Sequence, residues 1–312
     1  MIVITDNQHY AENTLGRDIN WSHDRLPSGT SVEILSRRIF QKDKLYVGEI
    51  HYPGGWEYIF ITEFSKKSQY DILIESVRKG LKPPDKLLCF AGAGKKFHGF
   101  KNRSWIAEPG NIHLSVYHSP NIAIDNFPAV FLALPAVSVA QTLDLIPELR
   151  NKSGIKWVND ILIENAKISG VLAHTQSSGK IITGATLGIG LNVETVPEVI
   201  RDAFVPDIKT INNFLPNTSA LKIADILPIL TAKLSENYNL LLRGKCAQII
   251  AEYQKRSIVI GKTVRVFSDS DVDYSTLIAK GKVANLTDNL ELVVDGYPQP
   301  IHQGRIVYTI EK

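Results

Sequence analysis

Cysteine is scarce in this chain. Two thiols in 312 residues, Cys89 and Cys246, leave no material for a disulfide framework or a four-thiolate zinc site. A reducing, cytoplasmic compartment is therefore the expectation. A charge excess is missing too. Thirty-five Lys and Arg stand against 32 Asp and Glu, a net +3, which is too even for a surface that grips nucleic acid throughout. The N-terminus, MIVITDNQHYAEN, lacks a basic start followed by an apolar stretch, so no signal peptide is expected. The most apolar run, residues 127–140, carries Pro135 and falls short of the roughly 20 residues that cross a bilayer. It predicts a buried helix and no membrane partner.

Several familiar chemistries are absent as well. Gly94-Lys95 resembles the end of a phosphate-binding P-loop, but Cys89 stands where the leading Gly belongs and Lys96 where Ser or Thr belongs. Gly188-Ile189-Gly190 begins like a dinucleotide fingerprint, but Val193 occupies the place of the third Gly and a strand, not a helix, is expected there. The eight His form no HExxH, and no GxSxG elbow is present.

What is present is an ordinary globular composition, 44% hydrophobic and 21% charged, at a length suited to two or three modules. Residues 1 to about 40 are polar, with a Pro27-Ser28-Gly29 turn and no helix-turn-helix pattern. An appended strand or lid is expected there. Residues 58–61 and 87–90 read as buried strands, and 111–116 alternates as a half-buried strand does. Ser68 is placed to cap a helix running to Gly80, with Tyr70, Leu73, Ile74 and Val77 on one face. Residues 128–149 look helical with a kink at Pro135. Short strands follow at 155–157, 161–163, 170–173 and 181–193, then helical spacing at 221–242 and 246–256. Beyond Arg256 the pattern is all strand, at 263–267, 277–284, 290–294 and 306–310, with an Asp295-Gly296 turn. Such a run suggests a small closed barrel.

Three stretches carry chemistry. The first is Ala91-Gly92-Ala93-Gly94-Lys95-Lys96, continuing to Arg103-Ser104-Trp105. Its glycines allow close backbone approach to a ligand, and its cations offer donors to phosphate or carboxylate. The second is Lys156-Trp157-Val158-Asn159-Asp160 with Lys167-Ile168-Ser169-Gly170, which gathers Trp, Asn, Asp and two Lys. The third is Gly188-Ile189-Gly190-Leu191-Asn192. Gly in a strand marks close approach, and an Asn amide can both donate and accept at an adenine edge. Each has a plainer reading taken alone: a solvated basic loop, an Asn-Asp turn, a tight sheet crossing.

On these residues taken together the chain resembles the biotin–protein ligase family, within the wider biotin and lipoate ligase group. Its loop of Gly and Arg ending in x-Trp is similar to Gly92 through Trp105, its Lys-Trp-Pro-Asn-Asp motif to residues 156–160, and its Lys-hydrophobe-x-Gly motif to residues 167–170. Its Gly-x-Gly-hydrophobe-Asn strand is similar to residues 188–192. Order and spacing match over roughly residues 45–312.

The resemblance implies an α+β fold, a mixed β-sheet backed by helices, with a small C-terminal SH3-like β-barrel. It divides the chain into an N-terminal extension over 1–44, whose role is not readable, a catalytic domain over 45–257 and the barrel over 258–312. The implied activity is formation of biotinyl-AMP from biotin, ATP and Mg²⁺, then transfer to a lysine of a biotin-carrier-type acceptor protein. Nucleic acid and membrane are not among the implied partners, and a homodimer is compatible with what relatives do. Lys167 is the candidate for the group between the acid and the α-phosphate, with Lys156 in support. Asp160 is assigned to holding Mg²⁺ or orienting Lys167. Asn159, Gly188, Gly190 and Asn192 are assigned to the nucleotide. Gly92, Gly94, Lys95, Lys96, Arg103 and Trp105 belong to a loop that folds over the adenylate.

The chain also departs from the family pattern. Lysines replace arginines at 95 and 96, Val158 replaces a Pro, and Phe97-His98-Gly99-Phe100 are extra. Ser68, Cys89 and Phe90 stand where polar residues flank the biotin ring in the family, and are assigned to acid specificity. An aliphatic acid such as lipoate or octanoate is therefore an alternative substrate, and a non-catalytic nucleotide- or carrier-binding relative is a further alternative.

Overall fold

A computed structural model describes the chain except residues 23–25, 199–202, 206, 270–275 and 309–312, and only the backbone of Asn102. The first elements are β1 (Ile2–Thr5), α1 (Gln8–Leu15), β2 (Asn20–Ser22), α2 (Ser31–Phe40) and β3 (Tyr46–Glu49). Next come β4 (Tyr58–Ser65), α3 (Gln69–Arg78), β5 (Leu87–Gly94), β6 (Ile112–His118), β7 (Ile122–Ala123) and α4 (Phe127–Asp144). These lead into β8 (Ser153–Lys156), β9 (Asp160–Ile163), β10 (Ala166–Ser178) and β11 (Ile181–Leu191), then α5 (Ile223–Leu242) and α6 (Cys246–Arg256). The chain closes with β12 (Thr263–Phe267), β13 (Leu277–Leu286), β14 (Leu292–Val294) and β15 (Arg305–Tyr308). Residues 309 and 310, expected to end the last strand, lie outside the described residues.

The local chemistry explains these boundaries. The Asn7 side chain accepts from the Tyr10 amide at 3.1 Å to start α1, and Gly16 ends it at φ 64°. The Thr30 hydroxyl accepts from the Glu33 amide at 3.2 Å to start α2. Both satisfy amides that the first helical turn leaves unpaired. Ser68 stands at the same position before α3, but its hydroxyl makes no capping bond.

The mixed main sheet has eleven strands in the order β2-β3-β1-β4-β5-β6-β11-β10-β9-β8, with β7 added on β11. β1, β4 and β5 run parallel, and the other pairs are antiparallel. Helices cover both faces, so successive strand residues enter two different cores. Val3, Ile59, Ile61, Leu88 and Phe90 join the cluster under α1, α4 and α5. Ile4, Phe60, Leu87 and Cys89 join the cluster under α2 and α3. The apolar run at 127–140 lies within α4, which continues through Pro135 and is buried on almost every side. A helix apolar all round belongs in the middle of a core.

Two sequence expectations meet the structure differently. Residues 1–44 are woven into the main sheet: β1 lies between β3 and β4, with Ile2 to Thr5 opposite Tyr58 to Ile61. No break in the sheet falls near residue 44, because the backbone donors of β1 find their partners on both sides. At the other end β12 to β15 form a separate four-stranded antiparallel sheet in the order β14-β13-β12-β15. β14 and β15 are its edges and do not pair with each other among the described residues.

If the N-terminal strand is integral, cutting into it should cost as much as cutting any core. Ile4 is fully buried, so Ile4→Ala should lower unfolding stability by about 2–5 kcal/mol. Urea denaturation checks this; a loss no larger than about 0.5 kcal/mol, typical of a surface change, would mark residues 1–44 as an appendage.

Candidate functional site

On the α3 face of the sheet the side-chain layer is interrupted. Gly170 on β10 and Gly188 and Gly190 on β11 lie in register on neighbouring strands, Gly170 opposite Gly190. Above them is a cavity of about 630 Å³. Its walls come from the start of α3, from β6, β10 and β11, and from the segment that follows β5. Protein rings fill the space the glycines leave, and at Gly190 the ring requires the glycine. A Cβ at Gly190 would collide with the indole of Trp105, one at Gly170 would stand 3.4 Å from that ring, and one at Gly188 would stand 3.2 Å from Tyr70. The strand glycines that suggested close approach of a ligand thus first admit Trp105 and Tyr70.

The indole is oriented from behind. Trp105 Nε1 donates to His113 Nδ1 at 3.2 Å, and His113 Nε2 meets the Glu108 carbonyl oxygen at 3.1 Å. An indole N–H only donates, so Nδ1 must accept and the proton of the neutral ring sits on Nε2. Burial pushes the His113 pKa down to about 4, consistent with a neutral ring.

Lys167 supplies the cation of the cavity. It sits where β10 bulges against β9, between Lys167 and Ser169. Its Nζ lies 2.6 Å from Asp160 Oδ1 and 5.7 Å from the Trp105 ring centre. Burial works to raise the Asp160 carboxyl, but Lys167, then Lys156 and Arg103, outweigh it and hold the carboxyl below its ordinary value. The carboxylate therefore stays charged and fixes the ammonium. Arg103 also lines the cavity, with its Nε donating to the Phe100 carbonyl at 2.9 Å.

Two amides complete the wall. Asn159 Nδ2 donates to the Val171 carbonyl at 2.9 Å. Asn192 Nδ2 donates to the Lys209 carbonyl at 3.2 Å, which leaves its buried Oδ1 without a partner among the described residues. An orphaned buried acceptor costs about 1–3 kcal/mol, and an N–H from a ligand in the cavity would satisfy it.

The structure brings Ser68, Arg103, Trp105, Asn159, Lys167, Gly188, Gly190 and Asn192 to this one cavity, with Asp160 joined through Lys167. The other expected site residues are placed elsewhere. Cys89 and Phe90 are fully buried on opposite faces of β5 and line no part of it, because β5 is covered on both faces. Burial pushes the Cys89 thiol pKa up. Gly92 turns toward α1, where a Cβ would collide with the Tyr10 hydroxyl, and Gly94 makes room for the Phe97 ring. Lys95 and Lys96 are exposed and do not line the cavity. Lys156 does not line the cavity: its Nζ donates to the Phe204 carbonyl and lies 5.6 Å from the Tyr308 ring.

Sequence reasoning passed over several wall residues, His113, Ser115 and Arg305 among them. His113 and Ser115 occupy the polar positions of the alternating strand 111–116, and that alternation was the available signal. Arg305, on β15, reaches the same cavity with its guanidinium 3.9 Å from the Phe204 ring centre. Its distance along the chain hid it.

Known proteins share this framework. Residues 66–192 match the model of the biotin/lipoate A/B protein ligase family. The bifunctional ligase/repressor BirA of Bacillus spizizenii is 31% identical over 141 residues, 45% of this chain and 41% of that protein. The biotin–[acetyl-CoA-carboxylase] ligase of Mycobacterium tuberculosis is 28% identical over 176 residues, 56% of this chain and 60% of that protein. The chain thus matches less than two thirds of the length of either. Among solved structures, the biotin protein ligase of Aquifex aeolicus in complex with biotin and ATP superposes with a TM-score of 0.62 at 18% identity. It covers 82% of this chain and 100% of that one, which establishes a shared fold.

The contact between Gly190 and Trp105 is directly testable. Gly190→Ala should destabilise the protein by about 1–3 kcal/mol through overpacking. The cost should largely vanish in a Trp105→Ala background, as a double-mutant cycle in thermal unfolding would read; an equal cost in both backgrounds would refute the packing account.

Proposed function

Because residues 66–192 belong to the biotin/lipoate A/B protein ligase family, we propose that this chain is an ATP-dependent biotin–protein ligase. The observation that carries the reading is the convergence of Lys167, Arg103, Trp105, Asn159 and Asn192 on one cavity. In the first half-reaction a biotin carboxylate oxygen attacks the α-phosphorus of ATP, and pyrophosphate leaves. In the second, the amine of a carrier lysine attacks the acyl carbon of biotinyl-AMP, and AMP leaves.

The central difficulty is electrostatic, since a carboxylate and a triphosphate repel each other. Lys167 and Arg103 supply fixed positive charge where the two anions must meet, within walls of low polarity that strengthen their effect. Asp160 keeps the Lys167 ammonium in place. The unpartnered Asn192 Oδ1 suits the exocyclic amine of adenine. Among the described residues no group of three or more His, Cys, Asp or Glu could hold a metal ion. Asp160 offers a single carboxylate, which fits Mg²⁺ carried in on the triphosphate, where the ion would neutralise phosphate charge. In this reading residues 45–257 carry the reaction, and the C-terminal sheet within 258–312 is an SH3-like barrel that adds Arg305 to the wall.

Acid-dependent exchange of pyrophosphate into ATP tests the proposal. Biotin should support exchange, with lipoate and octanoate as comparison acids; exchange with an aliphatic acid alone would transfer the substrate assignment to that acid, and none with any acid would refute the activity. Lys167→Ala should lower the exchange rate by on the order of 10²–10³-fold, as loss of a group that stabilises developing charge does. Asn192→Ala should weaken ATP binding by roughly tenfold, the value of about one hydrogen bond, read by calorimetry.

A further inference from the structure

Residues 97–100, among those extra to the family pattern, build something of their own. Gly99 N donates to the Arg103 carbonyl at 2.6 Å and Trp105 N to the Phe97 carbonyl at 3.1 Å, and His98 bridges Ser104. Residues 97–105 thus fold back on themselves as a short hairpin-like flap over the cavity. The flap is held on the sheet side by aromatic contact, Phe97 meeting His113 edge-on with ring centres 5.8 Å apart. It is held on the helix side by charge. His98 Nε2 lies 2.8 Å from Asp71 Oδ1, in the first turn of α3, and His98 Nδ1 lies 3.1 Å from the Gly99 carbonyl oxygen. The His98 ring also meets Tyr70 of the cavity wall edge-on at 6.2 Å.

Both ring nitrogens of His98 therefore face acceptors, a geometry that suits the doubly protonated ring. Burial opposes that charge, but Asp71 and the Gly99 carbonyl outweigh it and raise the His98 pKa above its ordinary value. The pair joins α3, which is part of the scaffold, to the middle of the flap. Neither residue is needed to hold the reacting atoms in the scheme above.

We propose that Asp71 and His98 are positioning residues, a latch that holds residues 97–105 closed over the cavity before any ligand arrives and keeps water from the acyl-adenylate once it forms. The second half of this statement rests on the ligase reading. Water that reached the acyl carbon would break its bond to the phosphate oxygen and return free acid and AMP with release of a proton. A covering flap slows that attack, and the flap opens for the acceptor amine.

The flap carries its own reporter, because Lys101 and Arg103 are tryptic sites within it. In the ligand-free, full-length protein these bonds should resist trypsin. Asp71→Asn, a change of equal size at a half-buried position, should speed cleavage at them about tenfold, as read by mass spectrometry, with an unchanged thermal midpoint. His98→Ala should do the same, and His98→Gln, which keeps a donor toward Asp71, should restore part of the protection. With biotin and ATP present, Asp71→Asn should raise the rate at which preformed adenylate is lost to water several-fold, while pyrophosphate exchange stays within about threefold. Unchanged cleavage and unchanged adenylate loss would overturn the latch, as would a lowered thermal midpoint accompanied by parallel loss of every activity. Failure of the ligase reading is distinguishable: no acid would support exchange in the unaltered protein, while tryptic protection would still follow the Asp71–His98 pair.

Discussion

A sheet face stripped of its side chains at three neighbouring glycines is the constraint on which the site depends. Through its middle the main sheet is covered on both faces, and alternate residues of β1, β4 and β5 enter two different cores. At Gly170, Gly188 and Gly190 that rule is suspended, and the space is taken partly by the rings of Trp105 and Tyr70 and partly by the cavity. Trp105 is held in turn by a neutral His113, so the aromatic floor is set by packing and one directed hydrogen bond. Any side chain at 190 would evict the indole and unfasten the segment that closes the site.

Charge is arranged on top of this floor. The Lys167–Asp160 pair sits at a bulge of the sheet, where the irregular register aims the lysine toward the cavity. A buried pair is weak evidence for stability, because desolvation offsets much of the attraction. Its value here is a fixed cation beside an indole face and a half-enclosed space, the environment that two anionic reactants require. Arg103 and Arg305 add positive charge from elements that are distant in sequence.

Both ends of the chain contribute. The N-terminal residues thicken the sheet edge, and Tyr10 of α1 lies against Gly92, just before the flap begins. Burial pushes the Tyr10 phenol up to about 12, so it stays protonated. The C-terminal sheet meets the main body where Trp157 Nε1 donates to the Leu290 carbonyl at 2.6 Å and where Arg305 enters the wall. The cavity wall is thus drawn from the middle of the chain and from Arg305 of the C-terminal sheet, while the N-terminal residues support the strand that leads into the flap.

Much of this was legible in the residues themselves. Periodicity marks α3, α5 and α6 and most strands beyond residue 58, because burying one face imposes a spacing of 3.6 or 2 residues on the apolar positions, and the apolar run itself marks α4. The motif at 156–160 with Lys167, and the Gly-x-Gly strand ending at Asn192, identify the residues that converge, because close packing and fixed charge demand particular residue types. Sequence could not assign the direction of a side chain on a strand buried on both faces, where neither neighbour is polar. For that reason Cys89 and Phe90 were misplaced in the cavity, and Gly92 was taken to face a ligand when it faces Tyr10. Nor could it set which cations turn inward: Lys95 and Lys96 stay in water, and Lys156 reaches for Phe204 and Tyr308. The sequence alone determined most elements from residue 58 onward, the family resemblance and the residue types of the site, since these follow from local spacing and chemistry, while the two helices and three strands before it were not read. Only the tertiary structure decided that Arg305 and His113 join the wall and that His98 meets Asp71, since those contacts depend on strand order and sheet register, which bring distant segments together.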